Sequence, residues 1–275
     1  MSANSSDKSH DSGEMNAIIS LTPAEIHLWL AFYDEISDER LLSDYLALLN
    51  PAEKEQQSRF YFAKDRLRYL VTRALVRTVM SRYVSIDPRE WIFSTNSYGC
   101  PEIANPQGRE AFLAFNISHT DGLIVLGVTK RRALGVDVEN FRTREVSIDI
   151  ADRFFAPTEV AALNKVPPRQ QQYRFFEYWT FKESYIKARG MGLSLPLDKF
   201  SFHYPNDRAV EIAIDRELAD DAARWQFWQF QPRPEYLVAI CAERVGDLSP
   251  RLIVHQTVPM VSQKSLPPEF LRVSK

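Results

Sequence analysis

A chain of 275 residues can hold one large domain or two of ordinary size, and its 45% hydrophobic and 25% charged residues are the balance of a globular protein. The formal net charge of −2 gives no global attraction to nucleic acid or to an anionic membrane, so any basic surface must be local, as around Lys130-Arg131-Arg132 and at Arg142 and Arg144. Two cysteines, Cys100 and Cys241, are too few for a disulfide framework or a structural zinc site and point to a reducing, cytoplasmic setting.

Residues 1–21 read as a disordered tail: positions 1–16 are rich in Ser, Asp, Asn and Gly and lack the apolar stretch of a signal peptide. Ile26–Phe32 reads as an opening strand and Leu41–Leu49 as a helix. A longer helix is expected from Pro51 to Tyr83, with a break near Asp65. Trp91–Ser94 is a short strand leading into the turn Asn96–Pro101. Phe112–Ser118, Leu123–Thr129 and Leu134–Glu139 are strands, the last two expected to pair as a hairpin across a charged turn. Helices follow at Ile148–Phe155, from Pro157, and at Gln170–Arg189, the last stopped by Gly190. Four strands close the series: Phe200–Tyr204, Val210–Ile214, Trp225–Gln231 and Tyr236–Ala242. No apolar run is longer than a strand, so no membrane span is expected.

This order divides the chain into two similar α+β lobes, 22–132 and 133–248, followed by a tail at 249–275. The expected fold class is α+β, with the lobes related by a pseudo-twofold axis and the site in the cleft between them. The second lobe carries the candidate metal site. In the strand Gly135-Val136-Asp137-Val138-Glu139, residues i and i+2 share a face, so Asp137 and Glu139 project together while Val136 and Val138 point into a core. Glu183 follows on a helix with Lys187 at i+4 on the same face. Alternating acids on a strand are ordinarily a solvated face, and a Glu–Lys pair at i,i+4 is ordinarily a surface pair. Together, two acids on a strand and one on a helix make the all-oxygen set that suits Mg2+, with places left for phosphate and water.

Four segments occur in order: Asn116-Ile117-Ser118-His119, Gly135–Glu139, Trp179-x-x-Lys182-Glu183-Ser184-x-x-Lys187, and Gly192-Leu193-Ser194-Leu195-Pro196-Leu197. Together they resemble the 4′-phosphopantetheinyl transferases of the Sfp type, the monomeric two-lobed class. That resemblance implies transfer of the phosphopantetheine arm of coenzyme A to a serine of an apo acyl- or peptidyl-carrier protein, with adenosine 3′,5′-bisphosphate released. It implies Mg2+ on Asp137, Glu139 and Glu183, with Glu183 also accepting the serine proton and Lys187 neutralising the pyrophosphate. Ser118, His119 and Arg68 match residues at the nucleotide end of coenzyme A. Trp179 reads as a packing residue.

The chain departs from the family pattern at Glu53, Gln56 and Cys100, where relatives carry lysines; Lys54 and Arg59 are the neighbours that could substitute. Cys100 has no base beside it in sequence and is not read as a nucleophile. Arg131, Arg132, Arg142 and Arg144 are candidates to meet an acidic carrier protein. The alternative reading is a non-catalytic carrier- or nucleotide-binding protein on the same fold.

Overall fold

The computed structural model describes residues 17–143, 146–246 and 249–275. The expected N-terminal tail lies outside the described residues up to position 16. From Ala17 the chain is held: the Ile19 N–H donates to the Arg82 carbonyl (2.6 Å) and Leu21 is buried, so 17–21 is fold rather than tail.

The first half runs β1 (Glu25–Phe32), α1 (Glu39–Leu48), α2 (Pro51–Arg59), α3 (Ala63–Met80), β2 (Phe93–Thr95), β3 (Pro101–Ile103), α4 (Pro106–Glu110), β4 (Leu113–His119) and β5 (Leu123–Lys130). The long helix expected from Pro51 is two helices. Asn50 and Glu53 form a reciprocal capping box that starts α2, and the Arg66 guanidinium pins the corner by donating to the carbonyls of Phe60 and Tyr61. The second half runs β6 (Leu134–Asn140), α5 (Ala151–Phe154), α6 (Pro157–Leu163), α7 (Pro168–Arg189), β7 (Phe200–His203), β8 (Glu211–Ile214), β9 (Trp225–Phe230) and β10 (Tyr236–Glu243). Gly190, at φ 63°, takes the left-handed cap that ends α7.

The segment expected as a C-terminal tail is β11 (Arg251–Val258), β12 (Ser262–Ser265) and β13 (Phe270–Val273), and these strands complete both main sheets. The first sheet has the order β12-β11-β1-β5-β4, with β11 parallel to β1; the second has the order β13-β9-β10-β6. The expected β5–β6 hairpin does not form. β5 pairs with β4 and β1, and β6 pairs with β10. The turn after Lys130 instead hands the chain from one sheet to the other. Arg131 sits there at φ 58°, and Arg132 is buried with its guanidinium donating to the Pro23 carbonyl.

Alternation along the strands explains the layering. In β1, Trp29 and Ala31 face the helical layer of α3, while Ile26, Leu28, Leu30 and Phe32 face the second sheet. β10 does the same in mirror fashion, with Leu237, Ala239 and Cys241 towards α7 and Val238 and Ile240 towards the first sheet. Each lobe is thus a sheet with one long helix on its outer face, and the two sheets bury a shared apolar layer. Among the described residues no helix is long and apolar enough to cross a membrane.

In β6 the inner positions are Leu134, Val136 and Val138. The opposite face, turned towards α7, therefore carries Gly135, Asp137 and Glu139. Both acids are buried, at 5% and 8% exposure, so this strand has no solvated face.

Candidate active site

β4 and β6 are edge strands of different sheets, and they meet at a seam where Ser118 is the hub. Its hydroxyl donates to Asp137 Oδ1 (3.0 Å) and accepts from the Lys187 ammonium (2.9 Å) and from the Val138 N–H (3.3 Å). Lys187 also donates to Asp137 Oδ1 (2.7 Å) and to the Val136 carbonyl (3.0 Å). Ser118 of β4 and Lys187 of α7 therefore converge on one carboxylate oxygen of β6. The other, Asp137 Oδ2, is buried without a hydrogen-bond partner. A buried, unpartnered carboxylate oxygen is costly to leave so and marks where a cation or a further donor belongs.

Gly135 makes this convergence possible. A Cβ there would lie 1.9 Å from the Ser184 carbonyl oxygen and 2.4 Å from the Ala188 nitrogen, so the backbone of α7 rests directly on β6. The strand and the helix run antiparallel. Gly135 meets Ser184–Ala188 at one end, and Phe141 meets Gln172 and Tyr173 at the other. Asp137 and Glu139 thus fall along the stretch of α7 that carries Glu183, which is half-buried. Among the described residues no three His, Cys, Asp or Glu side chains converge closely enough to hold a metal ion as they stand.

His119 follows Ser118 at the exposed end of β4. Its imidazole pKa is lowered, first by loss of hydration and then by the charges of Arg68 and Lys187, so it is neutral at pH 7. Arg68, ion-paired with Asp65 (3.0 Å), is close enough to act on His119. Lys54 is exposed on α2, and the exposed Arg59 forms a surface ion pair with Glu55 one turn earlier. Neither lines the cavity of about 370 Å3 that opens beside Lys187, which is walled by Cys100, Pro101, Asn116, Leu134 and Gly190. Burial and the nearby Glu102 raise the Cys100 pKa, so the group is a thiol rather than a thiolate at neutral pH. Glu53 takes Arg77 (2.7 Å) and faces Arg73 (3.8 Å). Arg73 lines a separate cleft of about 350 Å3 with Tyr69, Ser94 and Thr95, and sequence reasoning had not singled it out. Of the four arginines considered for a carrier surface, Arg132 is buried and cannot serve, Arg131 and Arg142 are exposed, and Arg144 lies outside the described residues.

Lys182 precedes Glu183 in the α7 motif. It is wholly buried, paired with the equally buried Glu159 (2.7 Å), and it donates to the carbonyls of Leu197 (2.8 Å) and Phe200 (2.7 Å). It ties α7 to α6 and to the segment before β7. Trp179 packs between Phe154 and Phe175, as a packing residue should. Removing one partner of a buried pair strands the other charge. Lys182→Met is therefore expected to cost about 3–5 kcal/mol in urea unfolding, with much of the loss recovered when Glu159→Gln is added. An unchanged unfolding midpoint would show that the pair is not buried in solution.

A sequence model of the 4′-phosphopantetheinyl transferase superfamily matches residues 133–241, and one of the 4′-phosphopantetheinyl transferase N-terminal region matches 37–131. The chain is 37% identical over 198 residues to 4′-phosphopantetheinyl transferase Sfp of Bacillus subtilis, covering 72% of this chain and 84% of that protein. It is 35% identical over 176 residues to 4′-phosphopantetheinyl transferase HetI of Nostoc sp., covering 64% and 73%. A phosphopantetheinyl transferase of Thraustochytrium sp. is 28% identical over 218 residues, covering 74% of each chain. With two lobes matched in order and a seam that brings the acids of β6 to α7, the chain is an enzyme of the 4′-phosphopantetheinyl transferase superfamily.

Proposed function

We propose that this enzyme transfers the 4′-phosphopantetheine group of coenzyme A to a serine hydroxyl of an apo acyl- or peptidyl-carrier protein, with Mg2+, as a cytoplasmic monomer. The observation that carries the reading is the convergence of Ser118, Asp137 and Lys187, with Asp137 Oδ2 left buried and unpartnered. Asp137, Glu139 and Glu183 are the residues that would hold such a cation, one that takes few protein oxygens and completes its shell with phosphate and water. Bound there, Mg2+ would supply positive charge to the pyrophosphate of coenzyme A.

This chain's own residues do the rest. Lys187, fixed by three acceptors, presents a cation beside the pyrophosphate without having to reorganise. Glu183 accepts the serine proton as the serine oxygen bonds to the β-phosphorus and the pyrophosphate bridge breaks. Adenosine 3′,5′-bisphosphate leaves with the bond electrons. Neutral His119, with Arg68 near it, holds the nucleotide end. Free thiols at Cys100 and Cys241 suit a reducing compartment.

The test is the intact mass of a purified apo carrier protein after incubation with the enzyme, coenzyme A and Mg2+. Wild type is expected to add one phosphopantetheine group, and Glu183→Gln to slow that addition by roughly 10²–10⁴-fold. Cleavage of coenzyme A without a carrier would turn the reading towards hydrolysis. Tight binding without transfer to any of several carriers would turn it towards a non-catalytic binder.

A further inference from the structure

The seam between the sheets contains no backbone pairing of β4 with β6, because each strand is an edge of its own sheet. Side chains replace the missing ladder. Along β4 and at the residue after it, the alternating polar residues Asn116, Ser118 and Thr120 accept from the alternating backbone N–H groups of Val136 (2.9 Å), Val138 (3.3 Å) and Asn140 (3.0 Å). Asn116 and Ser118 are buried. A chain whose neighbouring strand positions are apolar gains nothing from three polar groups at period two unless each answers a buried donor.

We infer that Asn116 and Thr120 are positioning residues for the reaction. They are the outer rungs of this ladder, and Ser118 is the middle one. Ser118 can reach Asp137 and Lys187 together only if β6 keeps its register against β4. A single residue of slip would turn Asp137 and Glu139 to the other face. With Ser118 already carrying Lys187 and Asp137 as well as its own rung, the flanking rungs fix that register. The Thr120 rung continues beyond the strand. Asn140, whose N–H it accepts, takes the N–H groups of Arg142 (3.1 Å) and Thr143 (3.3 Å) on its side-chain oxygen, which sets the chain leaving Glu139.

The test rests on the transfer reaction proposed above and compares wild type with Asn116→Leu, Thr120→Val and Thr120→Ser. Thr120→Val keeps the shape and removes the acceptor, whereas Thr120→Ser keeps the acceptor. The expected result at 25 °C is a fall in kcat of roughly 10- to 100-fold for Asn116→Leu and Thr120→Val, with KM for coenzyme A nearly unchanged and Thr120→Ser close to wild type. Hydrogen exchange of the metal-free protein is the second readout: the Val136 and Asn140 amides should lose protection in Asn116→Leu and Thr120→Val, respectively. A lowered Tm with wild-type kcat would overturn the inference and leave a purely structural ladder. Equal loss in Thr120→Val and Thr120→Ser would also overturn it. If Asn116→Leu does not fold, the Thr120 pair decides alone. A wild-type protein that transfers nothing overturns the parent reading instead, and the exchange data still report on the ladder.

Discussion

Gly135→Ala is expected to cost both stability and activity. The added methyl would lie 1.9 Å from the Ser184 carbonyl oxygen and 2.4 Å from the Ala188 nitrogen, and both obstacles are main chain. Ordinary contacts need about 3.5 Å, so α7 must lift off β6 by on the order of 1.5 Å. Overpacking of this kind costs about 1–3 kcal/mol, and here no side chain can swing aside to relieve it. The same displacement carries Lys187 away from Asp137 and Ser118, and a shift of that size costs roughly 10²-fold in rate. Thermal melting and transfer kinetics at 25 °C check the two effects separately. A variant with wild-type Tm and rate would show that the helix does not rest on the strand as described.

Asp137→Asn should separate chemistry from folding more sharply. The amide is nearly the same shape and still accepts from Ser118 and Lys187 through one oxygen. It removes the charge that meets the Lys187 ammonium at 2.7 Å, and it places an amide where Oδ2 now lies buried and unpartnered. Turnover is expected to fall by about 10²–10³-fold, the usual effect of removing one preorganised electrostatic partner. Lys187 remains a quarter exposed, so water softens the loss of its counter-ion and the stability cost should stay near 1–2 kcal/mol. Carrier mass spectrometry gives the rate, and near-ultraviolet circular dichroism tests that the fold is kept. Retention of more than a tenth of wild-type turnover would remove Asp137 from the chemistry.

The pair Asp137 and Glu139 was legible because strand periodicity is strict: once Val136 and Val138 face a core, the acids must share the other face. Burial was not legible, since the same pattern describes a solvated strand; only the arrival of α7 over Gly135 distinguishes the two. The β5–β6 hairpin failed because short range favoured it. Each strand offers an apolar face and the two are adjacent in sequence, and nothing local says that the partner of β6 is β10, whose residues lie about a hundred positions away. β12 reads Ser-Gln-Lys-Ser and carries no strand signal of its own, so it is a strand by virtue of its neighbour β11. Lys182 beside Glu183 on a helix looks like surface charge, and its true partner, Glu159, comes from a different helix. Arg59, expected as a nucleotide contact, pairs at the surface with Glu55 one turn away, a neighbour visible in the sequence only once the helix is in place.

The placement of β11 and β13 bears on how the polypeptide is made. A ribosome releases β1 early, yet the parallel neighbour that covers its edge is β11, more than two hundred residues later. Through most of synthesis the first lobe has an open edge, and the second lacks its last strand on β9. Neither lobe can become independent by being translated first, so the enzyme should acquire its final cooperativity in one late step. A fragment ending at Val245 would expose two sheet edges at once, which would make it a client for chaperones and prone to associate. Any peptide fused beyond Val273 would start beside the strand that closes the second sheet, so its length and charge would be felt in folding yield before they were felt at the catalytic seam.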